Sequence, residues 1–110
     1  MKITRKNNYT IIKAEKGNIA DFVKYISKNH SDFKKDNVVI DIINYKNLSI
    51  SELLLFLETS NLHRSQKKSF VIVNDSVESE AIPEELIVVP GLLEAGDIIG
   101  MEELERELGF

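Results

Sequence analysis

Few side chains in this chain have the types and spacing that chemistry requires. His30 and His63 are its two histidines, and cysteine is absent. Two histidines isolated in sequence, with no thiolate to help, cannot hold a two-zinc hydrolytic centre. No Gly-rich phosphate loop is present, and no His–Ser–acid spacing stands out among the serines. The expectation is therefore no catalytic, metal or cofactor site, and no enzyme. His30 falls beside the apolar face of a predicted helix and reads as a packed or surface residue. His63 stands with Arg64, Lys67 and Lys68 at the basic end of a second helix. Those three cations are weak candidates for a phosphate or nucleic-acid contact, because a helix dipole favours cations at that end in any case. Ser49-x-x-Glu52 has the spacing of a capping box, in which the serine and the glutamate each bond a free backbone N–H of the other.

The composition sets the limits within which such residues act. A chain of 110 residues, 43% hydrophobic and 29% charged, predicts one domain with a real core over 1–110. The lack of cysteine gives secretion no support. The longest apolar run, Leu53 to Leu57, is far shorter than the ~20 residues of a membrane span. The N-terminal MKITRKNNYT has no apolar h-region. The cytoplasm is the expected compartment, with no membrane partner. The net charge of −4 hides a split: residues 1–68 hold 13 of the 14 Lys and Arg and sum to +6, whereas 69–110 sum to −10. Such a split can steer partners or orient self-association. It also fits exposed helix faces that neutralise one another. Nucleic-acid binders carry a larger basic excess, so that partner is disfavoured.

The elements that position these residues follow from periodicity. Lys2–Arg5 and Tyr9–Ala14 read as strands joined by an Asn7-Asn8 turn, giving an N-terminal hairpin. Asn18 caps a helix whose apolar face is Ile19, Phe22, Val23, Ile26, His30 and Phe33, ending near Lys34-Lys35. Asn37–Ile43 is almost wholly apolar apart from Asp41, as a parallel strand covered on both faces should be. From Ser49 a helix carries Ile50, Leu53, Leu54 and Leu57 on one face. Leu55, Phe56 and Leu62 fall outside that stripe, so they are expected to be at least partly accessible and to meet a partner protein or a second copy. Ser69–Asn74 and Leu86–Val89 read as strands, and Pro83 can start a helical turn in the acidic stretch between them. Leu92, Ala95, Ile98, Ile99, Leu104 and Leu108 predict a long last helix, with Glu102 to Glu107 as a solvated face. Gly96 and Gly100 would let that helix lie close on a neighbour, Gly109 would end it, and Phe110 would pack back. The predicted class is α/β: a mixed sheet of four to five strands with helices, in the order β-β-α-β-α-β-(turn)-β-α.

Val38-Val39-Ile40-Asp41-Ile42, the apolar Leu48, a serine-bearing loop and a leucine-rich helix together resemble the STAS domain. That family includes bacterial anti-sigma factor antagonists and the cytoplasmic tails of sulfate transporters. The resemblance covers nearly the whole chain, including the late Glu94-Ala95 helix, and implies a STAS-like regulatory module that binds proteins. Switchable members carry Asp-Ser-Ser/Thr-Gly at the helix start, the first serine taking phosphate from a partner kinase. Aligned from Asp41 without gaps, Ser49, Ile50, Ser51 and Glu52 stand in those four places. Ile50 cannot carry phosphate. Ser49 or Ser51 could do so only with a one-residue offset, and Glu52 would repel the added charge of about −1.5 to −2. The expected module thus lacks the usual switch, with Ser49, Ser51, Glu52, Leu55, Phe56 and Leu62 as its partner-binding candidates.

The Ser69–Asn74 strand and the ending Glu102-Glu103-Leu104-Glu105-Arg106-Glu107-Leu108-Gly109-Phe110 are also similar to short bacterial proteins encoded beside ribonuclease Z, the tRNA 3′-processing endonuclease. That resemblance implies an accessory that binds tRNA or the nuclease through Arg64, Lys67 and Lys68. It supplies no active site, because the endonuclease needs a His-x-His-x-Asp-His cluster that this chain lacks.

Overall fold

Short β-branched runs build the sheet. The computed structural model describes residues 1–109, so the expected packing of Phe110 lies outside the described residues. Five strands, β1 (Lys2–Arg5), β2 (Thr10–Lys13), β3 (Val38–Asp41), β4 (Phe70–Val73) and β5 (Ile87–Val89), lie side by side in chain order. β1 pairs antiparallel with β2, and the other three pairings are parallel. The predicted hairpin and the covered central strand are both present, and β3 is buried along its whole length.

Alternate strand residues point to opposite faces, and each face has its own cover. Ile12, Val38, Ile40, Phe70 and Ile72 pack with residues of α1 (Ile19–Lys28), α2 (Ile50–Leu54) and α3 (Leu57–Ser65). Ile11, Val39, Val71 and Val73 face α4 (Leu92–Glu107), which buries Ala95 and Ile99 on them. The architecture is a mixed α/β sheet with three helices on one side and one on the other. Among the described residues no helix is long and apolar enough to cross a membrane.

Two helices differ from expectation. α1 starts as predicted, with Asn18 Oδ1 accepting from the Asp21 N–H at 2.8 Å. It ends at Lys28 rather than near Lys34-Lys35, because Asn29 turns its amide back onto the Tyr25 carbonyl at 2.9 Å. A single 3-10 turn, His30–Asp32, follows. The predicted helix from Ser49 is two helices. The N–H groups of Leu55 and Phe56 bond three residues back, to Glu52 and Leu53. The inward face runs on across this turn at helical spacing, through Leu53, Phe56, Ser60 and His63, and Phe56 lies edge-on to Phe22 with ring centroids 6.2 Å apart.

The glycines of α4 play different parts. A Cβ on Gly96 would stand 3.4 Å from the Tyr9 hydroxyl, so this glycine allows a close approach, whereas a Cβ on Gly100 would meet nothing within 4 Å. Gly100→Ala is therefore expected to stabilise the fold by about 0.5–1 kcal/mol through helix propensity alone. Gly96→Ala should gain less, and urea midpoints at constant m-value would check both. Gly109 ends the helix as expected, with φ of 85°.

Candidate interaction surface

The surface read from the sequence begins where β3 ends. Asp41 Oδ1 accepts from the Ile43 N–H at 3.1 Å and turns the chain out of the sheet. Buried Asn74, just past β4, then holds the following loop from beneath. Its amide donates to the carbonyls of Ile42 (2.9 Å) and Tyr45 (3.0 Å), and its Oδ1 accepts from the N–H and hydroxyl of Ser76. Ser76 Oγ accepts from the Leu48 N–H, and the Tyr45 hydroxyl donates to the Gly17 carbonyl. This scaffold fixes Ser49, whose Oγ accepts from the Glu52 N–H at 3.1 Å while its own N–H donates to Glu52 Oε1 at 3.1 Å. The predicted capping box is complete. Ser49 and Ser51 are both exposed, but the Ser49 hydroxyl also donates to Glu52.

The faces of α2 and α3 are partly inverted. The inward residues are Leu53, Phe56, Thr59, Ser60 and His63, three of them polar. Leu54, Leu55 and Leu62 point outward, with 41%, 45% and 50% of their surface exposed. Leu55 and Leu62 were expected at the surface and are there. Phe56 was also expected there and is wholly buried, because the inward face runs through Leu53, Phe56, Ser60 and His63 and not through Leu54; it belongs to the core and not to the interaction surface. Leu54 was assigned to the inward stripe and instead joins the exposed leucines. Glu58, also exposed, lies one turn from both Leu55 and Leu62.

The polar residues turned inward meet α1 and the segment after it. Thr59 and Ser27 share a hydroxyl hydrogen bond of 2.7 Å. His63, fully buried, lies edge-on to Phe70 and forms a 2.9 Å hydrogen bond between its Nδ1 and His30 Nε2. The two histidines are thus a pair, although the sequence reading left each alone and placed His63 in a basic surface. The tautomers follow from the partners. His63 Nε2 faces the Asp36 carbonyl at 2.7 Å, which can only accept, so Nε2 carries a proton. Neutral His63 then accepts at Nδ1, and His30 donates from Nε2. Burial holds His63 below the ordinary imidazole pKa; the Asp36 carbonyl opposes that shift, and His30 and Lys68 reinforce it. His30 is also held low, by burial and then by Lys34. Ser60 Oγ is buried without a hydrogen-bond partner among the described residues.

The basic candidates do not form one patch. Arg64 is clamped by Glu102, with Nη2 to Oε2 at 3.0 Å and Nη1 to Oε1 at 3.5 Å. Lys67 is exposed in a left-handed conformation, and Lys68 turns toward a different set of residues. Glu102 and Glu103, expected on a solvated face, instead dock α4 onto the starts of the strands. Ser69 Oγ donates to Glu102 at 2.6 Å, and Glu103 accepts from the amides of Asn8 and Asn37. Arg106 reaches Asn37 Oδ1 and Ser69 Oγ, each at 3.3 Å. Because this polar side of α4 faces in, Leu104 and Leu108, two of the apolar residues from which the helix was read, face out with Leu93 and Met101. The sequence signal for this outer stripe was the presence of apolar residues on both sides of the helix.

Among the described residues, no group of three or more His, Asp or Glu is placed to hold a metal ion. The chain matches no family model and no curated protein.

Proposed function

We infer that the protein is a non-catalytic, STAS-like binding module of the bacterial cytoplasm, with the outward row of α2 and α3 as its contact surface. The observation that carries this reading is the distribution of side chains in those helices. Thr59, Ser60 and His63 occupy the interior while Leu54, Leu55 and Leu62 face solvent. Hydrophobic burial is worth about 25 cal/mol per Å², so an arrangement that keeps leucines wet gives up stability unless another surface covers them. Glu58 within the row favours a protein partner that presents apolar side chains beside a cation. Ser49 acts as the helix cap rather than as a phosphate acceptor, in keeping with the Glu52 carboxylate against its hydroxyl. An RNA-processing accessory is supported less well, because Glu102 occupies Arg64.

The test compares the wild-type chain with a Leu55→Ser/Leu62→Ser variant, using chemical cross-linking in native lysate and sedimentation of the purified protein. The expected result is a cross-linked protein that the variant loses by tenfold or more, at unchanged thermal midpoint. Sedimentation as a dimer that the variant abolishes would identify the partner as a second copy. A monomer with no cross-link that depends on these leucines overturns the reading.

A further inference from the structure

At the opposite end of the sheet from Ser49, where the parallel strands begin, three separate segments bring cations to one concavity. The end of β1 and the turn after it supply Arg5 and Lys6, the segment before β3 supplies Lys35, and the segment before β4 supplies Lys68. The cleft they line has a volume of about 350 Å³. Two acids, Asp36 and Glu103, share it, and both are already engaged. Asp36 Oδ2 accepts from Arg5 Nη1 at 2.8 Å and from Thr10 Oγ1 at 3.2 Å. Glu103 accepts from Asn8 at Oε1 and from Asn37 at Oε2. Lys6, Lys35 and Lys68 form no ion pair among the described residues.

We propose that this cleft binds a small polyanion of the phosphate-ester or pyrophosphate class, with Lys6, Lys35 and Lys68 as its ligands and Arg5 held ready by Asp36. Arg5, Lys6, Lys35 and Lys68 outnumber Asp36 and Glu103, so the cleft keeps a net positive charge that a bound anion offsets. The floor is built rather than incidental: Asn37 and Thr10 are both buried, and every polar atom of the Asn37 side chain is bonded. The volume is at the lower end of small-ligand pockets, which run from ~300 Å³ upward. A long nucleic acid is disfavoured by Glu103 in the cleft and by exposed Glu107 one turn further along α4 on the same side.

The probe is inorganic pyrophosphate, added to the full chain at low salt and followed by amide NMR shifts and calorimetry. Saturable binding with shifts centred on Asn7, Asn8, Lys35 and Lys68 is expected, weakening as salt rises. Lys35→Gln and Lys68→Gln should each weaken it by about tenfold or more, the usual worth of a charge-assisted hydrogen bond. Lys24→Gln/Lys28→Gln, on the exposed side of α1, should leave it unchanged. Absence of binding, or equal weakening by the α1 variant, overturns the proposal. So does a single-stranded RNA oligonucleotide that binds the same residues a hundredfold more tightly than pyrophosphate, since the cations would then serve a polymer.

Discussion

Phe56→Ala is expected to remove about 3–5 kcal/mol of folding stability, the usual cost of truncating a buried phenylalanine. Leu55→Ala, one residue away, should change it by no more than ~0.5 kcal/mol, the range of surface substitutions. The contrast rests on which face of α2 and α3 turns inward. Phe56 is completely buried, edge-on to Phe22, and packs with Leu53, Ile40 and Phe70 in the larger core. Removing its ring leaves a cavity that the strands on one side and α1 on the other cannot close. A domain of ordinary stability has about 5–15 kcal/mol in all, so the Phe56 variant should be almost wholly unfolded at the thermal midpoint of the parent. Urea denaturation followed by circular dichroism measures both variants. An equal loss from Leu55→Ala would mean that Leu55 is covered in solution.

The same two helices show where the sequence stopped being readable. The capping box at Ser49 was legible because all its atoms lie within four residues. The covered strand β3 was legible because a Val/Ile run buried on both faces needs no knowledge of its neighbours. The inward face of α2 and α3 was not, since it carries Thr59, Ser60 and His63 where an apolar stripe is sought. A stripe through Ile50, Leu53, Leu54 and Leu57 put Phe56 outside, whereas the face the fold buries, Leu53, Phe56, Ser60 and His63, has the same helical spacing and puts it inside. Glu102 and Glu103 were misplaced for a related reason. Acidic residues near a helix end read as solvent-facing until Arg64, Asn8, Asn37 and Ser69, all distant in sequence, are brought up to them. Leu55 and Leu62 are therefore exposed as expected, Phe56 is not, and nothing in the sequence pointed to the cation cleft. Lys6, Lys35 and Lys68 are ordinary surface lysines until the sheet aligns the three segments that carry them.

Lowering the pH from 7 to 5 is expected to destabilise the protein through His30 and His63, the other pairing hidden by sequence distance. Both have folded-state pKa values below the ordinary 6.5. Below about 6.5 the unfolded chain takes up protons that the folded chain refuses, so stability rises with pH through this window. It is complete above ~6.5 and falls as the pH drops toward the folded-state values. The slope can reach about 1.4 kcal/mol per pH unit for each histidine. Geometry orders the two steps. A first proton can enter at His30 Nδ1 and leave the His30 Nε2 to His63 Nδ1 bond intact. A second must go to His63 Nδ1, where two N–H groups would then face each other across 2.9 Å with no acceptor between them. Lys34 and Lys68 add to that repulsion, and only the Asp36 region offsets it. His30→Gln keeps a donor for His63 but removes one titration, and should roughly halve the slope between pH 5 and 6.5. Urea midpoints across pH, with NMR of the imidazole nitrogens to confirm the Nε2–H form of His63, test both statements. A stability unchanged between pH 7 and 5 would mean that the pair does not resist protonation as its burial requires.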